Sequence, residues 1–343
     1  MGNARTIEWS DGTSAVRIID QTQLPLREAT IECRDVESLI EAIESLRVRG
    51  APALAVAGAL GVALAMSQGE AEGWDASQVE SAVMRIRAAR PTAVNLSWGV
   101  DQVSAAIPFG VSAVLRAAKE LIASEEWANR RISTLGADWI LTHVGQRPLR
   151  ILTHCNTGAL CATETGTALG VVLELHRRGC VEVVYVDETR PLLQGSRLTA
   201  WELARAGVPY LIQADSAAAS TVFRGLVDLA IIGADRIALN GDAVNKIGSL
   251  PIALACSASG VPFVVAAPRS TFDQSTHSGD EVEIELREES EITHIAGLQV
   301  APVGARAFNP AFDVTPNRFI TAIVSEDGVE SNNVSVTSDE AIP

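Results

Sequence analysis

Residues Asp228 to Ser249 read DLAIIGADRIALNGDAVNKIGS and contain the clearest fold signal in the chain. Its apolar run Leu229–Ile232, closed by a glycine, predicts a strand buried on both faces of a parallel sheet. Asp235 therefore falls at the carboxyl end of that strand, which is the edge where open α/β sheets bind ligands. Asn245–Lys246 comes just ahead of a helix predicted over Leu250–Ser259. A carboxylate, a lysine and a helix N-terminus at one edge predict a site for a small phosphorylated molecule.

Outward from this stretch, apolar runs and helical periods alternate through the second half of the chain. The predicted strands are Arg150–Cys155, Val181–Val186, Tyr210–Gln213, Leu229–Gly233 and Pro262–Ala267. The predicted helices between them are Ala159–Arg178, Leu198–Ala206, Ala217–Gly225 and Leu250–Ser259. This alternation is typical of a doubly wound α/β domain.

The first half has a different pattern, with a small antiparallel sheet followed by helices. Strands are predicted at Thr6–Trp9, Ala15–Asp20 and Glu28–Cys33, and helices after the N-cap Asp35 and over Ala51–Met66, Ala76–Ala89 and Glu120–Thr142, the last with Trp127 and Trp139 in the core. The pattern changes at Gly145–Pro148, so we expect domains at 1–146 and 147–343. The fold class is therefore α/β: a Rossmann-like doubly wound parallel-sheet domain preceded by a mainly helical domain with a small antiparallel sheet.

Composition excludes several classes of function. The chain has 343 residues and a formal charge of -15, which disfavours binding to nucleic acid or to an anionic membrane. The apolar stretch Ala51–Met66 is shorter than a typical transmembrane helix. The N-terminus lacks a signal-peptide pattern, so we expect a cytoplasmic protein. Five cysteines without a CxxC pair predict free thiols. The histidines lack metal-site spacing and no Gly-rich phosphate loop is present, so we expect neither a metal nor a nucleotide cofactor.

Two residues of the second half are candidates for proton transfer. Cys155 ends a strand, and a helix predicted from Ala159 would present its thiol to the positive end of the helix dipole. A half-buried core cysteine is the alternative. Asp235 follows four apolar residues, and burial there would raise its pKa. The alternative is a capping aspartate, or one paired with Arg236, and the residues alone leave both choices open.

Four further positions are suited to binding an anion or a hydroxyl group. Arg49 and Gly50 precede Pro52 and an apolar helix, which suits an anion clamp as well as an ordinary helix junction. Arg90 ends a helix and is unremarkable by itself. Gln194 at a helix start suits a ligand hydroxyl or phosphate. His154 and Cys155 are neighbours on a strand, so their side chains point to opposite faces of the sheet. We therefore interpret His154 as a buried packing residue.

Seven segments together resemble one family, the methylthioribose-1-phosphate isomerases of methionine salvage. In chain order they are RGAPALAVAGALG (49–61), RPTAVNLSWGV (90–100), ILTHCNTGALCATETGTALGV (151–171), DETRPLLQGSRLTAWEL (187–203), GADRIALNGDAVNKIGS (233–249), PFVVAAPRSTFD (262–273) and FNPAFDVTP (308–316). Departures are Ser97 and Gly99, Ser249, and the tail beyond Pro316.

The resemblance implies a two-domain homodimer that converts 5-methylthioribose 1-phosphate into 5-methylthioribulose 1-phosphate. It implies that Cys155 and Asp235 are the catalytic pair. It further implies that the substrate is bound in the cleft between the domains by Arg49, Gly50, Ala51, Arg90, Gln194, Asn245 and Lys246.

Isomerases of 5-deoxyribose 1-phosphate or ribose 1,5-bisphosphate share these motifs and remain alternatives. Regulatory subunits of the translation initiation-factor exchange complex share the fold but are interaction proteins that do not need both catalytic side chains. The presence of Cys155, Asp235 and Asn245–Lys246 favours the enzyme.

Overall fold

The computed structural model describes residues 5–91 and 94–332. The chain forms two compact units, one of residues up to Arg130 together with Thr157–Gly166, the other of Arg131–Asn156 together with the chain from Thr167 onward. The helix Val111–His143 is continuous from the first unit into the second. The domain boundary that we expect at residue 146 stays a prediction. The compact units divide the chain differently, because residues 131–146 belong to the second unit and residues 157–166 to the first.

The described part of the first unit contains the predicted small sheet and helices. Its strands are β1 (Ile7–Ser10), β2 (Ala15–Ile19) and β3 (Thr30–Cys33), paired antiparallel in that order. Its helices are α1 (Val36–Glu44), α2 (Ala51–Glu72), α3 (Ala76–Ala88), α4 (Val94–Ser104) and the first part of α5 (Val111–His143). The predicted N-cap is confirmed, since the Asp35 side chain accepts the Ser38 N–H at 2.7 Å.

Helix α2 is the core of this unit. By length and composition it is the one helix in the described residues that could cross a membrane, but most of it is buried inside the protein. It packs closely on α4 through glycines: a Cβ on Gly99 would lie 2.0 Å from the Ala55 carbonyl oxygen, and one on Gly58 2.5 Å from that of Leu96. Gly99, a departure from the family pattern, is therefore required by this helix packing.

The second unit carries the predicted parallel sheet. Its strands are β4 (Leu149–Thr153), β5 (Val181–Asp187), β6 (Tyr210–Gln213), β7 (Leu229–Ile232), β8 (Arg236–Ala238), β9 (Ala243–Lys246), β10 (Phe263–Ala266), β11 (Phe272–Asp273), β12 (His294–Ile295), β13 (Leu298–Gln299), β14 (Phe312–Thr315), β15 (Ala322–Val324) and β16 (Val329–Ser331). Its helices are α6 (Ala168–Arg177), α7 (Ala200–Ala206), α8 (Ala218–Phe223), α9 (Ser249–Ser259) and α10 (Ser290–Thr293), with a π-helical turn over Gly195–Thr199 ahead of α7.

Within the described residues, the large sheet has the order β16-β15-β10-β7-β4-β5-β6, with every pair parallel except β15–β16. The parallel strands follow the order of a doubly wound dinucleotide-binding sheet. In this order, successive strands are added in one direction from β4 and in the opposite direction from β7. Loops that leave the two strands at such a reversal diverge to opposite faces and open a crevice. Cys155 follows β4 and Asp235 follows β7, so both lie at this crevice.

Two sequence predictions were wrong. The helix predicted from Ala159 begins at Ala168, because carbonyl groups of the preceding segment bond other parts of the first unit instead of a helical turn. The Leu160 carbonyl accepts from the Gln21 side chain at 2.7 Å and the Cys161 carbonyl from the Ala53 N–H at 3.0 Å. Trp127, expected in the core, is 53% exposed, whereas Trp139 packs on the core as predicted.

Candidate functional site

Cys155 lies in the loop after β4 in a conformation that is rare for a residue with a side chain. Its φ is +67°, in the left-handed region that is energetically unfavourable for residues with a Cβ. The residue is only 7% exposed. Because α6 starts later than predicted, Cys155 does not directly precede a helix, and the expected activation by that helix N-terminus is not supported by the chain's path.

The contact at the Cys155 sulfur is made by Gln194. The Gln194 Nε2 donates to Sγ at 3.3 Å, and the residue is 3% exposed. Its Oε1 is buried with no hydrogen-bond partner in the described structure. Buried polar atoms in proteins are nearly always bonded, so this oxygen is suited to accept a hydrogen bond from a ligand hydroxyl. The Nε2 donor at the same time stabilises negative charge on the sulfur.

His154 is fully buried beneath the loop, as expected, but it is part of a polar network. Its Nε2 donates to the Ile247 carbonyl at 2.8 Å, and its Nδ1 lies 3.0 Å from the Asp187 carboxylate. Burial opposes charge on the ring, but the hydrogen bond and charge of Asp187 outweigh it and raise the His154 pKa. With both nitrogens engaged, His154 orders the loops and does not act as a base for Cys155.

Asp235 lies in the loop between β7 and β8 and is partly buried. Its N–H donates to the Val244 carbonyl on β9 at 2.9 Å, so it lies beside the strand that carries Asn245 and Lys246. The sequence also suggested an ion pair between Asp235 and Arg236. In the structure, the Arg236 Nη1 lies 3.3 Å from the Asp273 Oδ2. The loop after β7 and the end of β9 are thus held together at the crevice.

Asn245 and Lys246 are buried at the end of β9, just ahead of α9 as predicted. The Asn245 Nδ2 donates to the Ser249 Oγ at 2.8 Å, and the Lys246 Nζ lies 4.5 Å from the centre of the Phe312 ring. The His154–Ile247 bond holds this segment against the loop after β4. One edge of the sheet therefore carries the loops with Cys155 and Asp235, the Gln194 side chain, and the end of β9 with Asn245 and Lys246.

The N-terminus of α9 does not match the expectation of an anion site made by its backbone. The Asp313 carboxylate accepts from the Gly248 N–H at 2.8 Å and from the Leu250 N–H at 3.2 Å. Burial raises the pKa of Asp313 even though these backbone groups favour its charged form. A protein carboxyl group thus occupies the position at which the sequence predicted phosphate.

In the first unit, Arg49, Gly50 and Ala51 form the junction that begins α2. Gly50 is the N-cap, with φ 100° and ψ 142° and with no side-chain cap. A Cβ there would lie 2.5 Å from the Cys161 Sγ and 2.7 Å from the Cys161 backbone, so only glycine fits. Arg90, partly buried, lies just beyond the end of α3.

One group of side chains in the described residues has a metal-like arrangement. His154, Asp187 and Asp215 offer ligand atoms that all lie within 4.8 Å of one another. Both His154 nitrogens are engaged, and Asp215 accepts the N–H groups of Thr189 and Arg190 at 2.7 and 2.6 Å. Hydrogen bonding accounts for this arrangement.

Comparison with known proteins gives the family. The model of the initiation factor 2 subunit family matches residues 47–331, and the match covers most of the chain. The chain belongs to the initiation factor 2 subunit family.

Relatives in this family include several with names that state an isomerase activity. A protein of Nocardia farcinica named as a probable bifunctional methylthioribose-1-phosphate isomerase/methylthioribulose-1-phosphate dehydratase is 47% identical over 96% of this chain, which spans 60% of that relative. A methylthioribose-1-phosphate isomerase of Heliobacterium modesticaldum is 44% identical over 94% of this chain and 95% of its own. A 5-deoxyribose 1-phosphate isomerase of Moorella thermoacetica is 44% identical over 94% and 93%.

Solved structures of similar proteins confirm the fold class. The 5-methylthioribose 1-phosphate isomerase of Pyrococcus horikoshii has a TM-score of 0.85 and 34% identity, covering 96% of this chain and 92% of that one. The translation initiation factor eIF-2B subunit delta of A. fulgidus has a TM-score of 0.84 and 37% identity, covering 97% and 98%. The fold is thus shared by proteins with two kinds of name.

Four residues that support the catalytic candidates were not predicted from the sequence. Thr189 and Thr199 bond the backbone of Cys155, and Asp187 and Asp313 contact His154 and α9. Thr189 lies in the polar loop DETRP, and nothing in that motif indicates which partner its hydroxyl bonds.

Proposed function

We propose that the protein is an aldose–ketose isomerase that converts 5-methylthioribose 1-phosphate into 5-methylthioribulose 1-phosphate in methionine salvage. The observation that carries the proposal is the position of Cys155 and Asp235 after the two adjacent strands β4 and β7, at the sheet's reversal point. Relatives named only for this isomerase are matched over nearly their whole length, whereas the bifunctional relative is matched over 60%. The isomerase is therefore the activity that we assign.

The chemistry requires an acid and a base. The phosphate on C1 locks the sugar in its ring, so the ring must open, with the phosphate kept, before C1 can become a CH2 group and C2 a ketone. We propose that Asp235 protonates the ring oxygen and then transfers the hydroxyl protons, and that Cys155 moves the second proton. The Gln194 Nε2 that bonds the sulfur at 3.3 Å supports this role, because it stabilises negative charge there.

We propose that the substrate is held by the side chains and backbone groups that the family resemblance assigns to binding. Lys246 supplies a buried positive charge and Asn245 a neighbouring amide, while the Gln194 Oε1 accepts a sugar hydroxyl. We propose that the phosphate is bound by Lys246, by Arg49 with the backbone of Gly50 and Ala51, and by Arg90. No metal or nucleotide is required in this scheme.

Turnover by the purified protein tests the proposal. The protein is treated with EDTA, desalted, and assayed with 5-methylthioribose 1-phosphate by NMR for the ketose product. We expect full activity after the chelator. Activity that is lost and then restored by a divalent ion contradicts the cofactor-free scheme, and absence of turnover in both states contradicts the function.

A second candidate substrate is 5-deoxyribose 1-phosphate, because a relative named for that activity is as similar, at 44% identity, as one named for the methylthioribose enzyme. Turnover is therefore compared on these two sugars and on ribose 1,5-bisphosphate. We expect the highest kcat/KM for the methylthio sugar. A higher value for the deoxy sugar would assign that substrate instead.

A non-catalytic subunit role is distinguished by assembly. We propose a cytoplasmic homodimer, which light scattering on the purified chain measures directly. A mixed complex that co-purifies with the chain and has no turnover supports the regulatory role.

A further inference from the structure

The backbone of Cys155 needs external support. Its φ of +67° is unfavourable for any residue with a Cβ, and such conformations persist only where the surroundings enforce them. The preceding strand ends at Thr153, so the sheet ladder does not hold Cys155. The direction of its thiol therefore depends on the groups that bond its backbone.

Two buried threonine hydroxyls provide that support, one at the N–H group of Cys155 and the other at its carbonyl group. The Cys155 N–H donates to the Thr189 Oγ1 at 2.9 Å, and the Thr199 Oγ1 donates to the Cys155 carbonyl at 2.6 Å. The Thr189 hydroxyl donates its own hydrogen to the Asp187 carbonyl at 3.0 Å, which leaves its lone pairs for Cys155. Both threonines are fully buried, so water does not replace these bonds.

The segment that carries the hydroxyls is itself fixed. Asp215 accepts the N–H groups of Thr189 and Arg190 on its two carboxylate oxygens, at 2.7 and 2.6 Å. A Cβ on Gly195 would lie 1.7 Å from the Asp187 carbonyl oxygen and 2.7 Å from the Thr189 Oγ1. The segment therefore folds back on itself at a distance that only glycine allows. Thr199 closes the π-helical turn that begins at Gly195, a form often found at functional sites.

We propose that Thr189 and Thr199 are positioning residues that fix the left-handed backbone of Cys155 and so orient its thiol toward the substrate. They act through Cys155 and do not contact the substrate. The proposal rests on the proposed catalytic role of Cys155.

The test replaces each hydroxyl by a methyl group of similar shape, in Thr189→Val and Thr199→Val. We expect kcat to fall at least tenfold while KM changes less than threefold, because orientation of the thiol is lost and the binding groups remain. Thr189→Ser and Thr199→Ser keep the hydroxyl and are expected to return kcat to within threefold of the wild type. Alkylation of Cys155 by iodoacetamide, followed by peptide mass mapping, is expected to change in rate in the valine variants and not in the serine variants.

Thr153→Val is the matched control. Thr153 is also buried and its hydroxyl donates to a backbone carbonyl, that of Ile231, at 2.9 Å, but it does not bond Cys155. We expect this variant to lose stability without losing kcat. A general effect of removing a buried hydroxyl would lower kcat in all three valine variants, and this would overturn the proposal.

Cys155→Ser separates failure of the proposal from failure of the proposed function. If Cys155→Ser keeps wild-type turnover, the catalytic role of the thiol is wrong. If Cys155→Ser is inactive while both valine variants keep wild-type kcat and alkylation rate, only the positioning role is wrong. Should Thr189→Val not fold, Thr199→Val decides the question alone.

Discussion

Gly50 begins α2 in a conformation that essentially only glycine adopts, so Gly50→Ala is a sensitive probe of the predicted anion-binding segment. Its φ of 100° and ψ of 142° cost a residue with a Cβ about 1–3 kcal/mol. The added Cβ would also lie 2.5 Å from the Cys161 Sγ and 2.7 Å from its Cα and carbonyl oxygen. Backbone atoms cannot rotate away, and overpacking of this kind costs about 1–3 kcal/mol.

Together these effects should lower the free energy of unfolding by roughly 2–6 kcal/mol. The two backbone segments must also separate, by up to roughly 1 Å, to bring the contacts into the ordinary range. A displacement of that size in a substrate-binding segment costs about 100-fold in rate. We therefore expect kcat/KM for the sugar phosphate to fall by about two orders of magnitude, together with a lower midpoint in guanidinium unfolding.

Gly73→Ala is the matched control at the other end of the same helix. Gly73 has φ 73° and, among the described atoms, nothing within 4 Å of an added Cβ. Only the backbone cost of about 1–2 kcal/mol remains, and kcat/KM should be unchanged. Equal stability loss in the two variants would refute the steric argument, and equal kcat/KM would refute the assignment of Arg49–Ala51 to the substrate site.

The remaining predictions use the same assays. Cys155→Ser and Asp235→Asn should fold and bind substrate but lose nearly all kcat. Turnover by the wild type in D₂O should place deuterium at C1 of the product if an enolate forms, or leave the C2 hydrogen in the product if a hydride shifts. Lys246→Met should raise KM about ten- to a hundredfold through loss of a charge-assisted contact of roughly 1.5–3 kcal/mol; an unchanged KM would exclude Lys246 from binding the phosphate. Burial alone would raise the pKa of Asp228, but hydrogen bonds from Arg150 and Arg147 outweigh it and hold that pKa well below its usual value. Its stabilising contribution is therefore present above the unfolded pKa of about 3.9 and is lost as the pH falls through the lower folded value. Asp228→Asn should be about 1–2 kcal/mol less stable at pH 7, a value reduced for the solvent exposure of the arginines. The difference in the free energy of unfolding between the two proteins, measured by urea unfolding, should become smaller below about pH 4. A difference that stays constant down to pH 2 would contradict the stabilising role of the Asp228 carboxylate.

Much of the second unit was predictable because its strands are continuous apolar runs. Tyr210–Gln213 was predicted to the residue, and Leu229–Gly233 differs from the observed strand only at its end. Strands β8, β9 and β14 were missed because their sequences, RIA, AVNK and FDVT, mix polar and apolar residues and are not continuous apolar runs. Short strands of this kind have little periodicity to detect.

The failure at α6 has a different cause. The segment 157–167 contains good helix formers, and local propensity favoured an early start. Its backbone carbonyls instead accept hydrogen bonds from Thr6, Gln21 and Ala53, and long-range partners of that kind are not visible in a local pattern. The position of Cys155 at a strand end was therefore predictable, whereas the groups that hold it were not.

The same limit applies to α9, and it bears on how an anion is bound. The sequence placed a helix N-terminus beside Lys246 and made the backbone N–H groups the natural partners of phosphate. Because the Asp313 carboxylate accepts the N–H groups of Gly248 and Leu250, a phosphate at that position would meet a like charge unless Asp313 carries a proton, a form that its raised pKa favours. Beside α9, the buried Lys246 ammonium is therefore the group that we expect to attract an anion, because the Asp313 carboxylate already accepts the N–H groups at the helix end.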